Sequence, residues 1–497
     1  MSPMSDPAES MAAPNVPLPP ILRAEPAGPT LARRPWYRSI APAYLGIFVW
    51  APFFDRLWAG DLPRSDLPWL FGIAAAASVL CFGMFYPAVS WGLAARRPLG
   101  IVAASSFGTL GSEWITGIAI AVANIVWYAV AIDFAVDSIL LGLRACGLIS
   151  PVVLAGWHLG AVDVKSPVYL CTALFWIYIT GTAGLLRLTG VIGALMRVYA
   201  PIAMLLLTAV ALWLLPGLVS YSREDAVTIA ENAGFLDSRR GHDSALQMIL
   251  GFFAMASLTS VDWGARVRGR RDLVLGGLTG IVVAASWTAW MSLVVVAGAI
   301  ARISHQGGWF AERDDPFRLS FRWAVFHGIG GVPAGAILIL FGLAALAPAC
   351  YSVSVYGEKL SIHWPRLRQL GWTWIGGAVA FALAATSNAS RLELIFTAMG
   401  DLFAPAAGAI AGDWLSQRGD WSGLRQGVNR AGAIAWGAGF GVALALEVDR
   451  VFDPASAQWW QPTAICGFVT SLVVYWLLAR LGRVRPTVAL SQREIGQ

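Results

Sequence analysis

The chain has 497 residues, 57% of them hydrophobic and only 13% charged. A soluble domain of that length carries about a quarter charged residues, so the composition is that of a polytopic helical membrane protein, and the net charge of +6 reflects topology and not a nucleic-acid partner. The five cysteines and five histidines are scattered and form no Cys-x-x-Cys pair, which speaks against a disulfide framework or a metal site, and no cofactor is expected.

The opening stretch "MSPMSDPAESMAAPNVPLPPILRAEPAGPT" lacks the charged start, apolar core and small-residue cleavage site of a signal peptide. Residues 1–38 therefore read as a disordered cytoplasmic tail. Apolar runs of about 20 residues, the length that crosses a bilayer, then recur at 40–60, 67–94, 112–143, 166–186, 189–215, 244–262, 273–301, 332–357, 371–387, 393–414, 431–447 and 463–481. With the N-terminus inside, most of the 35 Lys and Arg fall in inner segments such as "RVRGRRD" and "QRGDWSGLRQGVNR". Acids gather in outer ones such as "SREDAV" and "AERDDPF". This is the bias of the positive-inside rule, and it places both termini in the cytoplasm of a cell that carries the protein in its inner or plasma membrane.

Several spans are interrupted. The first contains "VWAPFFDRLWAG" (49–60), with Pro52 beside the adjacent charges Asp55 and Arg56. The sixth ends in "MASLTSVDWGARVRG", the eighth carries "LAPACYSVSVYG" and the tenth "LFAPAAGAIAGDW". Pro and Gly inside spans are tolerated where freed backbone lines a cavity or finds protein partners. The first and sixth spans are five apart. Matching interruptions at that offset are expected of two inverted five-helix repeats with a site at the broken helices. Asp133 and Asp137, one turn apart on the outer half of the third span, either line an outer vestibule or lie where the helix has left the hydrocarbon.

Four motifs resemble the nucleobase–cation symporter-1 family, the purine–cytosine permease and hydantoin transporter group. They are "GLAARRPLGIVAASSFGTLGS" (92–112), "ANIVWYAV" (123–130), "FAMASLTSVDWGARVRGRRD" (253–272) and "APAAGAIAGDWLSQR" (404–418), which stand in the family's order on the corresponding spans. The resemblance implies an all-α fold with a five-plus-five inverted-repeat, LeuT-like core (39–420). Two further C-terminal helices (421–483) and a cytoplasmic tail (484–497) follow. It also implies alternating-access import of a planar heterocycle of the cytosine, purine, allantoin or hydantoin type with H+ or Na+, needing no obligate protein partner. Nothing in the sequence pairs a nucleophile with a base, so no enzyme is expected. A receptor or scaffold on the same fold is the reading from another class.

The resemblance also assigns residues. Trp127 aligns with the family's substrate-stacking tryptophan, whose indole face suits a flat π-system. Asn124 lies one turn earlier on the same face, and its amide both donates and accepts. Phe253 stands where the family has a second aromatic, and Phe53 is the first-span aromatic beside the break. Ser257 and Thr259 either read the ligand's rim or bond their own helix carbonyls. Asp262 and Arg266, at the cytoplasmic end of the sixth span, are gate or loop candidates. Family members that use sodium have neighbouring hydroxyls on the eighth span. Here Ala347 and Pro348 occupy those places, and Ser352 and Ser354 fall later. Sodium needs several oxygens. Arg56 is thus expected to stand in for the ion's charge, with Asp55 its neutralising partner or a proton carrier. The alternative is a structural ion pair.

Overall fold

The computed structural model describes residues 22, 33–160, 162–186, 189–232, 244–305, 319–452 and 462–487. Its first span is two helices, α1 (Ile40–Phe48) and α2 (Ala51–Asp55), parted at Val49–Trp50. Trp50 is extended there (φ −68, ψ 114) and Pro52 sits in the first turn of α2. Proline has no N–H to close the preceding turn, so the expected interruption is present. The break is also supported, since the Tyr199 hydroxyl donates to the Val49 carbonyl at 2.9 Å.

The chain continues through α3 (Leu67–Ala95) and α4 (Leu99–Ser112). A π-helical stretch (Glu113–Ala119) leads into α5 (Ile120–Ala145). A hairpin of β1 (Trp157–Leu159) and β2 (Val162–Val164), pairing His158 with Asp163, precedes α6 (Pro167–Leu185), α7 (Thr189–Leu218) and the short α8 (Arg223–Asn232). The sixth span is α9 (Ser244–Gly264). The seventh is α10 (Arg270–Gly277), a second π-helical stretch (Leu278–Val283) and α11 (Ala284–His305). Short α12 (Phe321–Gly328) precedes α13 (Gly331–Ala344) and α14 (Leu346–His363), the two halves of the eighth span. Then come α15 (Gln369–Ala385), α16 (Leu392–Ser416), α17 (Arg430–Phe452) and α18 (Thr463–Arg480).

Ten stretches among the described residues are long and apolar enough to cross a membrane. The broken first span and the 17-residue α15 complete the twelve expected. The protein is an integral membrane protein. Alternate crossing puts the loops at 96–98, 265–269, 364–368 and 417–429 on one face with both described chain ends. We call this the terminal face and the other the opposite face.

Three sequence expectations change. The sixth span is unbroken within α9. It has no proline, and the Ser257, Thr259 and Ser260 hydroxyls donate to carbonyls three residues back at 2.6, 3.1 and 2.6 Å, so no backbone is freed. The tenth span is likewise one helix, with Pro405 inside it. Residues 33–38, expected in the disordered tail, are docked: Arg34 donates its N–H to the Arg266 carbonyl at 2.8 Å and pairs with Val267. The rest of that tail apart from Leu22, and residues 488–497, lie outside the described residues.

The repeat shows itself in a different feature. A short helix ended by a positive-φ glycine precedes the third span of each half: residues 99–107 with Gly108 (φ 79) on the terminal face, and α12 with Gly330 (φ 74) on the opposite face. Gly108 is also pressed against the Gly427 carbonyl with no room for a Cβ. Around it Thr109 N–H donates to the Arg425 carbonyl and Asn429 N–H to the Phe107 carbonyl, at 2.9 and 2.8 Å. Asp413 accepts from Ser105 and Ser106 at 3.0 and 3.1 Å and from Arg425 at 2.8 Å. Arg425 and Asn429 each donate to the Tyr475 hydroxyl at 3.2 Å. The two C-terminal helices are therefore wired into the core.

The spans group into two sets. Gly264 of α9 lies against the Val89 carbonyl of α3 with no space for a side chain, and the Tyr44 hydroxyl of α1 donates to the Ala256 carbonyl of α9 at 3.0 Å. First, second and sixth spans thus form one set. In the other, Gly335 of α13 meets the Gly142 carbonyl of α5, the Tyr128 and Thr180 hydroxyls bond at 2.6 Å, and the Tyr356 hydroxyl donates to the Thr373 carbonyl at 2.8 Å. This joins the third, fourth, eighth and ninth spans.

Candidate functional site

The first-span break faces the third span across the boundary between the two sets. Trp50, at the break, meets Trp127 edge to face with ring centroids 5.4 Å apart. Phe252 of α9 stacks on Trp50 (6.0 Å, 20°) and stands edge-on to Trp127 at 5.3 Å. Phe396 of α16 lies 5.3 Å from both Trp127 and Phe252, and Phe53 lies 4.6 Å from Phe252. Trp50 and Trp127 are 6% and 7% exposed, and neither indole Nε1–H has a hydrogen-bond partner. A buried donor left unmade costs about 1–3 kcal/mol. Two such donors stand on rings in edge-to-face contact beside the helix break.

Trp127 and Phe53 lie in this cluster, and Phe253 does not. It stacks on Phe48 (5.7 Å, 8°) behind the first span, and its neighbour Phe252 faces Trp127. One residue turns a helix by about 100°, so the two neighbours meet different partners. Asn124 is buried on the expected helix, but its amide N–H donates to the Ile120 carbonyl at 2.8 Å, which leaves Oδ1 as the atom free to accept. Ser257 and Thr259 spend their hydroxyl protons inside α9, as described above.

Asp55 and Arg56 do not pair with each other. Consecutive helix residues do not face one another. Asp55 instead accepts from the Arg322 backbone N–H (3.1 Å), Nε (3.0 Å) and Nη2 (2.7 Å) at the start of α12. Arg322 also reaches Asp137 at 3.6 Å, and Lys165 bonds Asp137 at 2.7 Å and Asp133 at 3.3 Å. Tyr169 and Ser390 donate to Asp133 at 3.1 and 2.7 Å. Burial by itself lowers the pKa of Lys165, but the Asp133 and Asp137 charges outweigh it and hold the ammonium above its ordinary value. The cation on Asp55 is thus Arg322, and Asp133 and Asp137 belong to a buried ionic cluster on the opposite face.

On the terminal face Asp262 accepts from the Leu99 N–H at 2.8 Å, at the start of α4. Arg266 is exposed and contributes its carbonyl to Arg34. Arg96, from the loop before α4, donates to the Val267 and Ala265 carbonyls at 2.5 and 3.1 Å. The eighth span breaks at Ala345, between α13 and α14. Ser354 donates to its own Cys350 carbonyl at 3.0 Å and faces Gly184 of α6, and Ser352 is buried. No group of three or more His, Cys, Asp or Glu among the described residues has the arrangement to hold a metal.

Sequence reasoning missed Trp50, Phe252, Phe396, Arg322 and Lys165. A signal existed for the last two: the intramembrane acids Asp55, Asp133 and Asp137 had to find cations.

The chain has the fold of Mhp1. Against the inward-facing conformation of Mhp1 the TM-score is 0.57 at 14% identity, covering 95% of this chain and 97% of that one. Against Mhp1 described as a nucleobase-cation-symport-1 family transporter, closed with bromovinylhydantoin bound, it is 0.54 at 14% identity, covering 94% and 98%. A Na+-coupled sialic acid symporter in its substrate-bound outward-open state gives 0.52 at 13% identity, with 92% of each chain covered. No family model and no curated protein matches the sequence. The fold class is the expected LeuT-like one, five plus five helices with two more at the C-terminus.

Proposed function

We propose that the protein is a secondary transporter of the nucleobase–cation symporter-1 type, importing a planar heterocycle that presents hydrogen-bond acceptors. The observation that carries this reading is the pair of buried, unpartnered indole N–H groups of Trp50 and Trp127 within the ring of Phe53, Phe252 and Phe396. Stacking on such rings is worth about 1–3 kcal/mol per base-sized ring, and ring carbonyls or nitrogens of the ligand would satisfy both donors. Asn124 Oδ1 supplies an acceptor for a ligand N–H. Mhp1, with bromovinylhydantoin in one of its structures, is a protein of the same fold that binds such a molecule. The positive-inside bias of the loops makes the terminal face cytoplasmic.

A second reading keeps the fold and takes the proton, or no ion, in place of sodium. It is favoured by Ala347 and Pro348, which bring no hydroxyl to the places where family members that use sodium have them, while the later Ser354 faces the fourth span. Uptake into proteoliposomes under a sodium or a proton gradient separates the two.

The test of the site is a thermal-shift screen of purified protein against nucleobases, hydantoins and allantoin. A ligand at 100 times its Kd stabilises the native state by about 2.7 kcal/mol. A hit in the parent protein should vanish in Trp127→Ala while that variant still elutes as a folded protein. A hit unaffected by Trp127→Ala removes the assignment.

A further inference from the structure

We propose that Asp55 and Asp262 are a symmetry-related pair of latches, one for each face, and that a face opens when its aspartate withdraws from the helix it caps. The proposal rests on the transporter reading and concerns how access to that site is controlled. Both aspartates are positioning residues, acting through the helices they hold.

The two contacts are the same construction used twice. Asp55 ends the first span, and its Oδ1 accepts from Arg322 N–H at 3.1 Å, in the first turn of α12. Asp262 lies near the end of the sixth span, and its Oδ1 accepts from Leu99 N–H at 2.8 Å, the first residue of α4. The first turn of a helix has N–H groups without partners inside the helix and the positive end of its dipole, so a carboxylate there is favoured. α12 leads into the eighth span and α4 into the third, each through a positive-φ glycine. First and sixth spans are the corresponding members of the two halves, and so are third and eighth.

Each latch crosses the boundary between the two sets of spans. Asp55 and Asp262 belong to the set held together by Tyr44, Val89 and Gly264. α4 and α12 are continuous with the set held by Gly142 and Gly335. The aromatic cluster lies on that same boundary, so a relative tilt of the sets exposes it on one face while tightening the other. Arg322 reinforces the Asp55 latch from α12, and beside Asp262 the chain leading into α4 is held by Arg96 on the Ala265 and Val267 carbonyls. Both contacts are made in this structure.

The test uses full-length protein with the five native cysteines replaced and one reporter cysteine introduced, either Ala324→Cys in α12 or Ala103→Cys in α4. Both alanines are fully buried. The readout is the rate of maleimide modification. Asp55→Asn should raise the Ala324→Cys rate by about tenfold, roughly what one weakened charge-assisted hydrogen bond is worth, and leave the Ala103→Cys rate unchanged or lower. Asp262→Asn should do the reverse. If either substitution raises both rates together, or neither rate moves, the latches are merely structural and the proposal is overturned. Should Asp55→Asn fail to elute as folded protein, Arg322→Gln reads the same latch from its other side, with the same two outcomes. The measurement needs no substrate. A failed ligand screen with sided labelling intact counts against the substrate reading alone, and unsided labelling with a ligand hit counts against the latches alone.

Discussion

Asp55 finds its cation 267 positions away in the chain. Its side chain is fully buried and that of Arg322 is 2% exposed, so neither charge has water to fall back on. Breaking such a pair from one side costs about 3–5 kcal/mol, because the other charge is left uncompensated. Asp55→Ala and Arg322→Ala should each lower the melting temperature strongly, and the double variant should lose less than the two combined. Denaturation of the four proteins measures this coupling, expected at about 0.5–3 kcal/mol, and strict additivity would show that the pair does not act as a unit. At this scale the sequence conveyed need but not supply. An aspartate in an apolar span announces that it wants a partner. Arg56 was the nearest cation in sequence, yet an adjacent residue on a helix points elsewhere. Phe253 failed for the same angular reason, since apolar neighbours on both faces of α9 leave nothing to tell its register from that of Phe252.

The helices were more legible than the residues where proline marks them. Pro52 marks the first-span break correctly. Pro405 marks none, because α16 continues through it where it packs beside Gly439 and Gly467. The expected sixth-span break rested on hydroxyls, and hydroxyls that bond their own helix free no backbone. A real break needs its released groups satisfied, and here Tyr199 does so from α7. Tyr199→Phe should therefore cost about 1–3 kcal/mol, the desolvation of an abandoned Val49 carbonyl, seen as a lower melting temperature with little change in helix content by circular dichroism. An unchanged melting temperature would mean that the carbonyl finds another donor.

For the whole molecule, twelve spans and the LeuT-like fold were readable, because bilayer thickness and loop charge act on every segment at once. The two-set grouping was not, since it depends on which glycines meet which carbonyls across the interior. Residues 421–483 read as two further helices after the core, and the contacts among Ser105, Asp413, Arg425 and Tyr475 tie them into it. A chain ended at residue 420 should accordingly insert into membranes yet run as aggregate in size-exclusion chromatography. A monodisperse truncated protein would show the last two helices to be dispensable.

The same contacts impose an order on manufacture. Arg425 reaches back to Ser105 across 320 positions. At roughly 5–20 residues per second of synthesis, the early half of the chain waits about 15–60 s in the bilayer before that partner is made. Through that interval the Gly108 bend has no Gly427 loop to close on, and Ser105 and Ser106 wait for the Asp413 carboxylate until shortly before Arg425 is made. The nascent protein thus crosses the membrane many times before it holds its shape, and it is most exposed to quality control just before its final two helices arrive.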